Sequence, residues 1–314
     1  MDPSELMRPC WRGQRGRLEV WYTTLTDPAT GTGLWLHHEL VAPTDGSPAY
    51  AHGWAGVFPV DRPPVLARFG PAPWQRPAGD TVFDAAGVSM TPSRLAGAAG
   101  EVSWELAGAG GGPPLYTFPR WAWRRQLLPA AAIVPVPAAT FTGQLGFDGT
   151  KLDLVDAPGA SARIYGHGNA RRWGWLHAHL GGGDLVEVVA AVSMRPGLRR
   201  LRPLPFVRLR LGGVDWPGGD PLLSALSFHA RLDLPRWSVV GGSGDLRVRI
   251  EVRLPPERTL AVDYRDPDGA LAVCHNSERA DAVVALDRLE GGAWSAERRW
   301  DLSGTAHAEL GLRH

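Results

Sequence analysis

The chain has 314 residues, with 44% hydrophobic residues, 21% charged residues and a formal net charge of +1. These values describe a globular chain with an ordinary core, long enough for two domains, and exclude a disordered polymer. A net charge so close to zero leaves no global field to recruit nucleic acid or an anionic membrane.

Lys151 is the sole lysine, the other basic residues being arginine, a bias that reads as coding composition rather than function. Cys10 and Cys274 are the two cysteines, too few and too far apart to imply a disulfide framework. The first sixteen residues lack the apolar run of a secretory leader, and Leu127 to Ala139 is interrupted by Pro129, Pro135 and Pro137 and is too short to span a bilayer. The expected location is cytoplasmic.

In chain order, alternating segments are separated by Gly, Pro and Asp turns at the spacing of an all-β protein. Leu18 to Leu25, the turn-rich DPATGTG and Leu34 to Val41 form a predicted hairpin. His37 and His38 are neighbours on that second strand and face opposite sides, so they are no chelating pair. Val102, Trp104 and Leu106 point one way from EVSWELA. Phe141 to Leu145 and Leu152 to Val155 flank FDGT, whose Asp148-Gly149 pair is a hairpin signal. Leu246 to Leu254 alternates with period two, and Leu260 to Tyr264, DPDG and Ala270 to Val273 give a further hairpin. Helix is expected for under about a tenth of residues, against the usual third.

The predicted fold is all-β, with two consecutive antiparallel barrels or sandwiches, which cover the sheet edges that would template aggregation. Residues 195–205, with three prolines and four arginines, suggest a boundary that gives domains 1–195 and 196–314. The stretch from Pro129 to Pro137 is the competing linker.

Fourteen tryptophans are a heavy load of large apolar rings, suited to cores and to cavities for flat or greasy ligands. Trp121 and Trp123, in FPRWAWRRQ, share a face if extended. So do Trp173 and Trp175, beside Arg171 and Arg172, and indoles next to guanidinium groups make a stacking wall. The densest cluster is Arg163 to His179 (RIYGHGNARRWGWLHAH). His167 and Asn169 stand among small residues. In the strand that follows, Trp173, Trp175, His177 and His179 share one face, with Gly174, Leu176, Ala178 and Leu180 on the other. These residues predict a cavity lined by Trp173, Trp175 and His167, which the family resemblance given next would put near the domain junction.

Gly143, Leu145, Asp148 and Gly149, followed by Tyr165, His167, Asn169, Trp173 and Gly174, resemble a family motif. In the superfamily of carotenoid hydratase, AttH-like proteins and lipocalin-type Diels–Alderases, a GxVxxDG hairpin leads into such a Tyr/His/Asn/Trp-Gly segment. Tocopherol cyclase is a more distant relative. The resemblance implies two lipocalin-like domains and cofactor-free chemistry on an isoprenoid or polyene, or simply its binding. The implied partner is an apolar small molecule, held by Tyr165, Asn169, Arg171, Arg172, Trp173, Trp175, His177, Trp121 and Trp123.

Such chemistry needs a desolvated acid to protonate an alkene and aromatic faces to stabilise the cation. A carboxyl group in an apolar cavity keeps its proton at neutral pH. Glu187, inside LVEVVAAV, and Asp153 and Asp156 are the carboxyl candidates, with His167 as a further proton-transfer group.

No metal and no cofactor is expected. His177-x-His179 has chelating spacing, but Glu187 follows too late for a cupin's acidic ligand. No G-x-S-x-G, Walker A or dinucleotide fingerprint occurs in a strand-to-helix context. A non-catalytic carrier is the alternative function.

The role of Glu187 depends on the LGGGD connection. An even loop places Glu187 opposite Ala178 on the aliphatic face. A three-residue loop places it opposite His177 or His179, with the indoles. The three glycines permit either.

Overall fold

The computed structural model describes residues 2–125, 128, 130–194 and 202–314. Strands take 64% and helix 6% of the described residues, so the alternation in the sequence is realised as strand almost throughout them. The chain divides into two compact units. One comprises Met1–Leu115, Ala122–Gly168 and Arg265–Ala270, the other Tyr116–Trp121, Asn169–Tyr264 and Leu271–His314. The linker expected over 195–205 falls largely outside the described residues. The passage between units is at Gly168 and Asn169 rather than at 195, because the strands over 172–192 hydrogen-bond within the second sheet.

The first unit is one ten-stranded antiparallel sheet. Its strands are β1 (Arg17–Thr26), β2 (Gly33–Ala42), β3 (Tyr50–Phe58), β4 (Val65–Pro73), β5 (Phe83–Ala85), β6 (Val88–Met90), β7 (Arg94–Ala99), β8 (Val102–Gly111), β9 (Ala130–Phe147) and β10 (Thr150–Gly166). Their order is β4-β3-β2-β1-β10-β9-β8-β7-β6-β5, and β4 also touches β5 and β7, bringing the ends of the sheet together. In the β1–β2 turn, Asp27 accepts from the backbone N–H and hydroxyl of Thr30 at 3.1 and 2.7 Å, the local side-chain bonding that makes Asp a turn former. Asp148 and Gly149 both have positive φ, 48° and 70°, as a two-residue hairpin turn of the primed kind requires.

The second unit holds β11 (Arg172–Gly181), β12 (Asp184–Val192), β13 (Leu204–Leu211), β14 (Val214–Trp216), β15 (Phe228–Leu232), β16 (Arg236–Ser243), β17 (Leu246–Arg253), β18 (Leu260–Arg265), β19 (Leu271–Glu290) and β20 (Ala293–Arg313). The order is β14-β13-β12-β11-β20-β19-β17-β16-β15, with β18 paired to β19.

Each sheet packs one apolar face. In the first unit Leu34, Leu36, Leu40, Ala51, Ala55, Phe69 and Trp104 belong to a single cluster. In the second, Leu176, Ala178, Val186, Val188, Val207, Ala308 and Leu310 do the same. Because side chains alternate along a strand, the residues between these positions lie on the opposite faces, where the polar residues of interest are found. Within β19 a bulge between Ser277 and Ala280 reverses the alternation. Ser277 and Ala280 both pair with core alanines, Ala308 and Ala306, while Cys274 and Asn276 pair with Gly311 and Glu309 on the other face.

Two expectations need correction here. Trp121 and Trp123 lie on a short helix, Arg120–Arg125, and not on a strand. Two positions on a helix lie about 200° apart, so Trp121 is exposed while Trp123 is buried. Tyr165 and Trp123 pack together at 5.1 Å between ring centroids, and the Tyr165 hydroxyl donates to the Ala122 carbonyl at 2.5 Å. These are structural contacts that hold the helix to β10.

Candidate functional site

On β11 the odd-numbered residues Trp173, Trp175, His177 and His179 share the face opposite the apolar cluster, as the alternation required. The register of β12 decides what meets them. Gly182 and Gly183, with φ of 61° and 86°, form the turn between Gly181 and Asp184. This even turn would place Glu187 on the aliphatic face. A bulge between His179 and Gly181 adds one residue to β11 and restores the other register. Glu187 therefore lies opposite His177, and Ala178 opposite Val186.

Glu187 is buried, as are Trp175 and His177. The Trp175 indole N–H donates to Glu187 Oε1 at 2.7 Å, and His177 Nδ1 lies 2.8 Å from Glu187 Oε2. Burial raises the Glu187 carboxyl well above its usual range, the Trp175 bond opposing this. It lowers His177 to about 3, and His307 acts in the same direction. Burial thus favours the uncharged form of each group. The other neighbour across the sheet, Arg208, turns its guanidinium to the carbonyls of Tyr116 and Pro217 at 3.0 and 2.6 Å.

Two further carboxyl groups stand on this face. Glu309 accepts from the Trp173 indole at 2.7 Å and from the Cys274 thiol at 3.3 Å. Glu278 Oε2 meets His307 Nδ1 at 2.7 Å. Burial raises both carboxyl groups and lowers His307 to about 3. His177 and His307 are cross-strand partners with rings 6.3 Å apart and 29° from parallel. One sheet face thus collects two glutamic acid–imidazole pairs and two indole–carboxyl bonds.

Glu278, His307 and Glu309 were missed in the sequence. The signal for two of them was present: His307 and Glu309 alternate with Ala306, Ala308 and Leu310, as His177 alternates with Leu176 and Ala178. Glu278 was hidden by the β19 bulge.

Other expected site residues lie apart from this cluster. Asp153 is exposed and bonded to Gln144 at 3.1 Å, and Asp156 is likewise exposed. Neither carboxyl has the desolvation that a proton donor to an alkene needs. His167 is an exposed residue of the first unit whose Nδ1 sits 3.0 Å from the Gly16 carbonyl. Asn169 begins the second unit. Arg171 is exposed, and Arg172 donates to the Leu232 carbonyl at 2.9 Å. Among the described residues no group of three or more His, Cys, Asp or Glu is arranged to hold a metal ion, and no helix is long and apolar enough to cross a membrane.

The fold and this face define a two-unit, antiparallel β protein with buried carboxyl groups of raised proton affinity on one sheet face. The chain belongs to the tocopherol cyclase-like family, whose model matches residues 118–312. It is 52% identical over 305 residues to an uncharacterized protein of Mycobacterium tuberculosis, Rv0493c, covering 97% of this chain and 89% of that one. Among solved structures it resembles CghA with Sch210972 (TM-score 0.61, 14% identity, 95% and 88% of the two chains). It also resembles an AttH of Nitrosomonas europaea (TM-score 0.59, 13% identity, 94% and 92%) and kievitone hydratase of Nectria haematococca (TM-score 0.54, 10% identity, 94% and 88%). These neighbours confirm the lipocalin-like two-domain fold.

Proposed function

We propose that the protein binds an apolar, unsaturated small molecule, an isoprenoid or polyene, and catalyses its hydration or cyclisation without a cofactor. The observation that carries this reading is Glu187: a buried carboxyl whose proton affinity burial raises, bonded to the Trp175 indole N–H and 2.8 Å from the His177 imidazole. A carboxyl kept protonated at pH 7 can donate to a weakly basic carbon. The proton of Glu187 adds to one alkene carbon and leaves a cation on its neighbour, stabilised by the faces of Trp173 and Trp175. In hydration, water bonds to the cation and its surplus proton returns to the Glu187–His177 pair. In cyclisation, a second double bond or a hydroxyl of the substrate closes the ring and a proton is lost to the same pair. The membership of the tocopherol cyclase-like family and the likeness in fold to kievitone hydratase support this class of reaction.

The test is Glu187→Gln. The amide preserves shape and still accepts from Trp175, so ligand binding is retained while turnover falls by about two orders of magnitude or more. Binding by both proteins with turnover by neither would instead establish a carrier.

A further inference from the structure

The first unit carries a second acid–imidazole–indole cluster. On β2, Trp35, His37 and Glu39 alternate with Leu34, Leu36 and Leu40, which belong to the apolar cluster. They therefore lie on the face opposite that core. On β3, His52 and Trp54 pair with Glu39 and His37 across the sheet. All five residues are buried. The Trp35 and Trp54 rings run nearly parallel, at 18°, with centroids 6.4 Å apart. His52 packs edge-on to Trp54 at 4.9 Å.

We propose that this face is a binding site for a neutral hydroxyl group carried on an apolar body, with Glu39 and His52 as its hydrogen-bonding partners and Trp35 and Trp54 as the apolar wall. The Nε2 atoms of His37 and His52 both converge on Glu39 Oε2, at 3.4 and 3.7 Å. The longer of these is beyond hydrogen-bond length and the shorter is at its limit. Glu39 Oε2 and both ring nitrogens of His52 find no hydrogen-bond partner within the protein, although buried polar atoms are nearly always paired. A hydroxyl is the group that both donates and accepts. It can give its proton to an imidazole nitrogen and accept one from the carboxyl.

The surrounding charges select a neutral ligand. Glu39 is raised to about 7 by burial, with His52 and Arg68 opposing the rise and Asp266 adding to it. Tyr50, which feels Glu39, Arg265 and Arg68, and Tyr22 on β1, opposite His37 on β2, are further titratable groups on this side. An anion would meet Asp266, and a cation would meet Arg68, whose guanidinium lies over Trp54 at 5.6 Å. Glu187 belongs to the other unit.

Calorimetric titration of the intact protein with geraniol and with geranyl methyl ether tests this directly. The wild type binds the alcohol about tenfold or more tightly than the ether, the ratio expected when a buried polar site loses one hydrogen bond. That ratio collapses towards one in His52→Phe and Glu39→Leu, is largely kept in the shape-preserving Glu39→Gln, and is unchanged in Glu187→Gln. Equal binding of the two probes by the wild type, or binding of neither, overturns the proposal without recourse to any variant. A preference lost in Glu187→Gln but kept in the Glu39 and His52 variants overturns it too, and moves the hydroxyl site to the second unit.

Discussion

Glu187 and His177 face each other across β12 and β11 with carboxyl and imidazole 2.8 Å apart, and burial raises the proton affinity of the carboxyl while it lowers that of the ring. That single contact depends on the β11 bulge, because the turn alone would have turned Glu187 to the other side of the sheet.

The turn itself is the first testable point. Gly182 has φ of 61° and Gly183 of 86°, a region that favours glycine and tolerates asparagine. Gly182→Asn is expected to fold with wild-type stability, and Gly182→Val to lose about 1–2 kcal/mol. Chemical denaturation of the two variants measures the difference.

Gly311 lies opposite Trp173 on β20, and a Cβ there would sit 2.0 Å from the indole ring. Gly311→Ala must therefore displace Trp173, breaking its 2.7 Å bond to Glu309. The expected outcome is a loss of about 1–3 kcal/mol and a red-shifted tryptophan emission. A variant with unchanged emission would show that the indole has room to stay.

In the first unit, Arg163 and Glu19 form a fully buried ion pair at 2.7 Å, with the guanidinium over the Trp21 and Trp123 rings at 4.5 and 5.4 Å. Its remaining hydrogen bonds go to the Leu6 and Arg8 carbonyls, pinning the N-terminal segment. Arg163→Met leaves Glu19 buried and unpaired, at an expected cost of about 3–5 kcal/mol. Arg163→Lys restores the charge but not the planar fork and stacking, and should recover only part of the loss in thermal unfolding.

Acid sensitivity follows from His38. It points into the apolar cluster beside Phe69 and Phe83, at 5.6 and 5.0 Å, and burial first, then His37, lowers it to about 3. The unfolded chain binds a proton below pH 6.5 where the folded chain does not, so this residue's contribution to stability falls as the pH drops from 6.5 towards 3. The slope approaches about 1.4 kcal/mol per pH unit. Relative to wild type, His38→Leu gains stability progressively over that window and much less above it. Denaturation midpoints at pH 7.5 and pH 4.5 give the comparison.

Strand parity was readable in the sequence because it depends only on the pleat: Trp173, Trp175 and His177 share a face, and His37 and His38 divide between two. What failed to show was parity altered by an inserted residue. The β11 bulge decides the position of Glu187, and the β19 bulge decides that of Glu278, and neither has a residue signature comparable to Asp148-Gly149. Trp121 and Trp123 misled because a six-residue helix is too short to show a period. Glu39 was visible as the third residue in the Trp35, His37, Glu39 alternation, but its importance depends on His52 arriving from the next strand. Asp153 was singled out by chain proximity to the motif, whereas exposure is a property of three dimensions.

Both sheets have their apolar clusters on one side and their acid–imidazole clusters on the other, His38 apart, so each strand divides its residues between two separate tasks. Exchanging Val189 or Phe206, beside Glu187 and Arg208 on the chemical side, leaves Val188 and Val207 untouched in the packing that holds the sheet together. Substrate preference can therefore change by single substitutions while the folding core stays constant, and a library restricted to alternate positions of β11, β12, β13 and β20 would sample new specificities at little risk to the scaffold.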